Sequence, residues 1–203
     1  MIFIYSFFGS IVIGYLLGGR FANYLHLPLR GLIFPILSFA IEAFSPMFER
    51  LAPWPAQSWL WASVSAQYIL SFYFIFLNRS RKPVRLMAIG TALNILIIAW
   101  YGFRMPVTPM VYQHAGLVHF ATRIETGELF EYILVNWDAP LWWLGDTIPI
   151  LVGPQGLASI GDFLMAAGMG WLMVQIMRQK PQQDASQAGA PEKLPTKDGH
   201  SIQ

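Results

Sequence analysis

Long stretches without a single charge constrain this chain more than any other feature. No Asp, Glu, Lys or Arg occurs from Ile2 to Gly19, from Ser58 to Leu77, or from Leu86 to Phe103. At about 1.5 Å of rise per helical residue, each block covers most of a hydrocarbon core about 30 Å thick. A soluble domain would spread its apolar residues in amphipathic patterns, whereas contiguous blocks are what lipid demands. Only helices and closed barrels satisfy their backbone there, and blocks of this length are helical. Composition agrees, since 12% of the residues are charged where soluble domains carry about a quarter.

Two further blocks follow the same pattern less cleanly. Leu32 to Phe48 contains Pro35, Glu42 and Pro46, and Leu157 to Met177 contains Asp162 near its start. The expected fold is all-α: a polytopic transmembrane helix bundle of about five spans, at about 2–19, 32–48, 58–77, 86–103 and 157–177. Residues 104–156 form a helical or irregular outer cap, and 178–203, rich in Gln, Ala, Pro and Lys, form a disordered cytoplasmic tail with nothing to bury. The first block reads as a retained span, because Arg20 follows it where a signal peptide has its basic residues in front. The prolines make 32–48 kinked or partly re-entrant. Phe130 to Leu144 is too short to cross and is broken by Asp138 and Pro140.

Basic residues orient the set. Arg20 and Arg30 lie between the first two spans, Arg79, Arg81, Lys82 and Arg85 between the third and fourth, and Arg178 and Lys180 after the fifth. The intervening segments hold only Arg50, or Arg104 and Arg123 diluted by acids. Cytoplasmic loops carry the excess of Lys and Arg, so the amino terminus is expected outside and the carboxyl terminus in the cytoplasm. In that arrangement Trp54, Trp59, Trp61, Trp100, Tyr101, Trp142 and Trp143 all fall at the outer head-group level, where such rings concentrate.

Within the spans, small residues recur at Ser10, Gly14 and Gly18, and at Ala166 and Gly170. This spacing lets backbones approach closely, within one bundle more often than between copies. The chain has no cysteine, which excludes disulfides and thiolate metal sites. No phosphate-binding glycine loop and no Gly-x-Ser-x-Gly elbow occurs. Neither a cofactor nor a nucleic-acid partner is expected. The expected partners are the lipid bilayer and a membrane protein or a second copy of the chain.

Candidate site residues are the polar groups that lipid penalises. An acid inside a span costs about 2.5–3.5 kcal/mol at a helix centre and needs compensation. Glu42, Gln67 and Asn94 sit at similar depth in three spans, which points to a buried polar cluster for a polar ligand, cation or proton; interhelical hydrogen bonding is the alternative. In Ser159-Ile160-Gly161-Asp162, Ser159 is placed to cap a helix with Asp162 at its third position, a capping box with Asp for the usual Glu. Asp146 and Arg104 belong to the same outer level, and an acid pair beside an arginine suits a cation or polar head group. With His119 they would line a shallow pocket above Glu42. His114 and His119 lack helical ligand spacing, and Glu125, Glu128 and Glu131 read as a solvated face, so no metal site is expected.

Three short motifs in the carboxyl-terminal half carry a resemblance. Arg104-Met105-Pro106-Val107, Leu144-Gly145-Asp146-Thr147-Ile148-Pro149 and Ser159-Ile160-Gly161-Asp162, in that order before a final span, resemble the bacterial membrane family DUF5317 over roughly Leu86 to Met177. The amino-terminal spans resemble it in hydropathy alone. The resemblance implies a multi-span protein of the bacterial cytoplasmic membrane and supplies no catalytic residues. Three functions compete. The first is a non-enzymatic protein binding a small ligand, lipid or partner protein at its outer polar site. The second is a transporter or channel component using Glu42, and the third a membrane enzyme using Asp146, Asp162 and a histidine.

Overall fold

The computed structural model describes residues 2–26, 29–51, 55–153 and 155–179. It is mostly helical: α1 (Ile2–Leu16), α2 (Ile33–Leu51), α3 (Ala56–Leu77), α4 (Lys82–Trp100), α5 (Ala115–Glu125) and α6 (Ile160–Met177). Helices α3, α4 and α6 are long and apolar enough to cross a membrane, while α1 and the Ile33–Ser45 part of α2 are shorter apolar helices. Large apolar side chains such as Phe8, Leu16, Phe39 and Ile69 stand exposed along the bundle. The tail expected over 178–203 lies outside the described residues from 180 onward, as does Trp54.

Local chemistry moves several expected span ends. The first helix stops at Leu16 because Gly18 takes a left-handed conformation (φ +76°), and Gly18 and Gly19 turn their N–H groups back to Tyr15 and Gly14. This is a Schellman ending, which a glycine permits without steric strain. Gly18 therefore serves a turn instead of the small-residue stripe. Helix α4 ends the same way at Gly102, whose N–H and that of Phe103 return to Ala99 and Ile98. The span expected over 86–103 accordingly slides back to begin at Lys82, with Pro83 in the first turn, where its missing donor is harmless. Pro35 falls in the first turn of α2 for the same reason, and Pro46 lies within the helix.

The helices pack in the order α1, α6, α4, α3, α2. The approach of α4 to α6 is closest. A methyl group on Gly161 would stand 1.9 Å from Asn94 Oδ1 and 2.7 Å from the Gly90 carbonyl oxygen. On its other side α6 receives α1, whose buried residues are Ser10 and Gly14, the latter against Met177. Ser6 Oγ also donates to the Ala166 carbonyl at 2.5 Å. The small residues at Ser10, Gly14 and Ala166 are thus used inside the bundle.

Between α4 and α6, where the sequence leads one to expect a helical or irregular cap, the chain also pairs short strands. Strand β1 (Met105–Val107) pairs in parallel with β2 (Tyr132–Leu134), and β3 (Ile148–Ile150) pairs antiparallel with β4 (Gly156–Ala158). Three-residue strands show too little alternation to be seen in a sequence dominated by apolar residues. Helix α5 covers β1 and β2 through a small core of Val107, Val111, Leu117 and Ala121. A second cluster, Ile97, Met105 and Leu144, fixes this cap to the end of α4.

Candidate functional site

The three motifs of the carboxyl-terminal half converge where the cap meets the α4–α6 pair. Arg104 leads into β1, and β1 is bordered on its second edge by Asp146, whose N–H donates to the Pro106 carbonyl at 2.9 Å and which pairs with Val107. From Asp146 the chain enters β3, whose partner β4 delivers Ser159 to the start of α6. Segments far apart in sequence thereby share one small region.

At the head of α6 the expected capping box is present. Ser159 Oγ accepts from the Asp162 N–H at 3.0 Å, and Asp162 Oδ2 accepts from the Ser159 N–H at 3.1 Å. Asn94 of α4 extends it. Its Nδ2 donates to Asp162 Oδ1 at 2.8 Å, while its Oδ1 accepts from Ser159 Oγ at 2.9 Å. Both oxygens of Asp162 are therefore partnered, and Ser159 has no exposed surface. This closed ring holds a carboxylate in place at the positive end of the helix dipole, which favours a negative charge there.

Asp146 stands in contrast. It is 7% exposed, and its Oδ1 has no hydrogen-bonding partner among the described residues. Burial first, and then the neighbouring Asp162 carboxylate, hold the Asp146 carboxyl well above the ordinary carboxylate range. Thr108 Oγ1, one residue beyond the Val107 that pairs with Asp146, is likewise buried without a partner. Half-buried Tyr132 on β2 lies within electrostatic reach of Asp146, Glu131, Glu42 and Asp162, and Tyr68 on α3 within reach of Asp162, Asp146 and Glu42. A polar centre of Asn94, Ser159, Asp162 and buried Asp146 therefore sits where the α4–α6 pair meets the segment between them.

The residues singled out from sequence are distributed unevenly around this centre. Asn94, Asp146 and Asp162 belong to it. Glu42 is exposed on α2 yet within electrostatic reach of Asp162 and Glu131. Gln67 is half-buried on α3, and its backbone carbonyl accepts from Ser38 Oγ at 3.2 Å. No hydrogen bond joins Glu42, Gln67 and Asn94 among the described residues. Arg104 turns to Gln57 at the head of α3, donating from Nη2 at 3.4 Å. His119 is exposed on α5. Among the described residues no three His, Asp or Glu side chains gather to hold a metal ion. Thr108, Tyr68 and Tyr132 were missed, because nothing in their sequence surroundings marks a hydroxyl as buried.

A family model described as a family of unknown function, DUF5317, matches residues 26–174. The match takes in α2 and α3 as well as the three motifs, and leaves α1 outside. No curated protein and no solved structure matches the chain.

Proposed function

The chain belongs to the DUF5317 family, and from that premise we propose that it is an integral membrane protein of about five spans that binds a small cation or protonated amine at the junction of cap and bundle. The observation that carries this reading is Asp146, a buried carboxyl group with an oxygen left without a partner. Buried polar atoms in native proteins are almost always satisfied, so an exception calls for a ligand or a proton. Asp162 adds a second carboxylate within reach, fixed by Asn94 and Ser159. A positively charged guest would relieve both the orphaned oxygen and the repulsion between the two acids. The exposed apolar helix surfaces support membrane residence, and the clustering of basic loops supports an outer location for this site.

The pH dependence follows from the raised Asp146 pKa. The folded protein holds a proton to higher pH than the unfolded chain does, so stability falls as pH rises from the ordinary carboxylate range towards the folded pKa. A cation competes with that proton, so its apparent affinity rises with pH across the same window. Thermal unfolding in mild detergent, with a panel of alkali cations, divalent cations and short alkylamines, tests the reading. At least one is expected to raise Tm in the native protein, more so at higher pH, and to have no effect on Asp146→Asn. The reading fails if none shifts Tm, or if the variant responds equally.

Conduction of the same cation is a second reading, favoured by Glu42. Glu42 is an exposed carboxyl group on α2, on the surface from which a cation would have to enter to reach Asp162 and Asp146. Flux into liposomes that Glu42→Gln abolishes, in a protein that still folds, would replace binding by transport.

A further inference from the structure

The end of the bundle opposite the cap is built differently from an ordinary set of loops. The segment between α1 and α2 is tied to the ends of two other helices by asparagine side chains. Asn23 Nδ2 donates to the carbonyls of Met177 and Gln179 at 2.7 and 2.8 Å, beside the Arg20 N–H, which reaches Met177 at 2.9 Å. Asn78, itself buried, accepts from the Arg30 N–H at 3.0 Å and donates to the Arg30 carbonyl at 2.8 Å. Tyr24 and Leu29 of this segment pack on a core of Phe74, Val84, Leu172 and Ile176 drawn from α3, α4 and α6. One clasp holds the Arg20 backbone at Met177, which precedes Arg178, and the other holds the Arg30 backbone at Asn78, which precedes Arg79.

Basic residues are thus gathered at one end of the bundle by bonds that do not involve their charges. Arg20, Arg30, Arg79, Lys82, Arg85 and Arg178 are all exposed at this end. Every acidic residue described lies halfway or further along α2, in the cap, or in the first turn of α6. The negative ends of the α3 and α6 dipoles account for Arg79 and Arg178, and Arg79 donates to the Phe76 carbonyl. They do not account for Lys82 and Arg85, which occupy the first turn of α4, where a cation is disfavoured. Immediately along the same surface stand exposed Leu16, Leu17, Phe21, Phe76 and Ile89. A basic rim over an apolar wall matches the level at which phosphates meet acyl chains.

We propose that this clasped basic end is a binding surface for anionic phospholipid head groups. The proposal rests on the membrane reading above but not on the cation site. Each basic residue near an anionic surface contributes about fivefold in affinity. The full chain, purified in mild detergent and exposed to mixed phosphatidylcholine and phosphatidylglycerol micelles, would be analysed by native mass spectrometry for retained lipid. Phosphatidylglycerol is expected to be retained in preference, the preference falling about fivefold for each of Arg20→Gln and Arg30→Gln. Arg123→Gln in the cap is expected to leave it unchanged, and Asn78→Ala to reduce it by freeing Arg30 without altering charge. Equal retention of both lipids by the native chain, or an undiminished preference in the double arginine variant, overturns the proposal. Extraction from membranes by alkaline carbonate is measured alongside. A chain that stays in the membrane yet shows no lipid preference refutes this surface and leaves membrane residence standing.

Discussion

Replacing Gly161 by alanine is expected to disrupt the bundle strongly. The new carbon would stand 1.9 Å from Asn94 Oδ1 and 2.7 Å from the Gly90 carbonyl oxygen. Neither neighbour gives way cheaply, since one belongs to a closed hydrogen-bonded ring and the other to the α4 backbone. Overpacking a core costs about 1–3 kcal/mol when side chains can adjust, and a clash with backbone belongs at or above the top of that range. The better helix propensity of alanine, worth about 1 kcal/mol, does not offset it. Gly9→Ala is the matched control, because its added methyl group would meet nothing within 4 Å. Thermal unfolding followed by circular dichroism in detergent should show a lowered midpoint for Gly161→Ala and an unchanged or raised one for Gly9→Ala. Equal midpoints would refute the close packing of α4 on α6.

Asn94→Ala is expected to have the second largest effect. It removes two hydrogen bonds at once and leaves the Ser159 hydroxyl proton and Asp162 Oδ1 without their Asn94 partners, while Ser159 Oγ still accepts from the Asp162 N–H. Bonds to charged groups contribute about 1.5–3 kcal/mol and an orphaned buried hydroxyl costs about 1–3, so a loss of roughly 2–4 kcal/mol is expected. Interhelical bonds in membranes often measure less, because the separated helices find other partners. Ser159 is completely buried, which places this case at the higher end. A double-mutant cycle with Asp162→Ala isolates the pair: coupling above about 0.5 kcal/mol is expected for residues sharing one network. Additive effects would show that the ring does not act as a unit.

How much of this was legible beforehand depended on the range of the interaction. The box of Ser159 and Asp162 could be read because both partners lie within one helical turn and the residue types are those that cap helices. The partner that completes it was not legible, since Asn94 lies 68 positions from Asp162. Asn94 stands out for its cost in an apolar span, and depth groups it with Glu42 and Gln67 but leaves the facing of each helix open. Glu42 is exposed and Asn94 buried for that reason. Two of the three charge-free blocks, 58–77 and 86–103, became helices of spanning length, whereas the first became the shorter α1. The third spanning helix came from the block that holds Asp162. Glycine turns and a proline set ends that differ from the expected ones by a few residues. The cap resisted reading because its strands are three residues long and one of its two pairings joins segments with a helix between them. His119 illustrates the limit of composition: a titratable residue near a predicted site faced outward.

The position of α6 bears on how the chain is made. This helix lies between α1 and α4 and contributes to both pairings, yet it is synthesised after both of them. Until it arrives, the first helix has Ser10 and Gly14 uncovered, and Asn94 of α4 lacks the partners it finds on α6. Synthesis interrupted ahead of Ile160 would therefore release two helices that each lack their main neighbour, a species suited to capture by quality-control proteases.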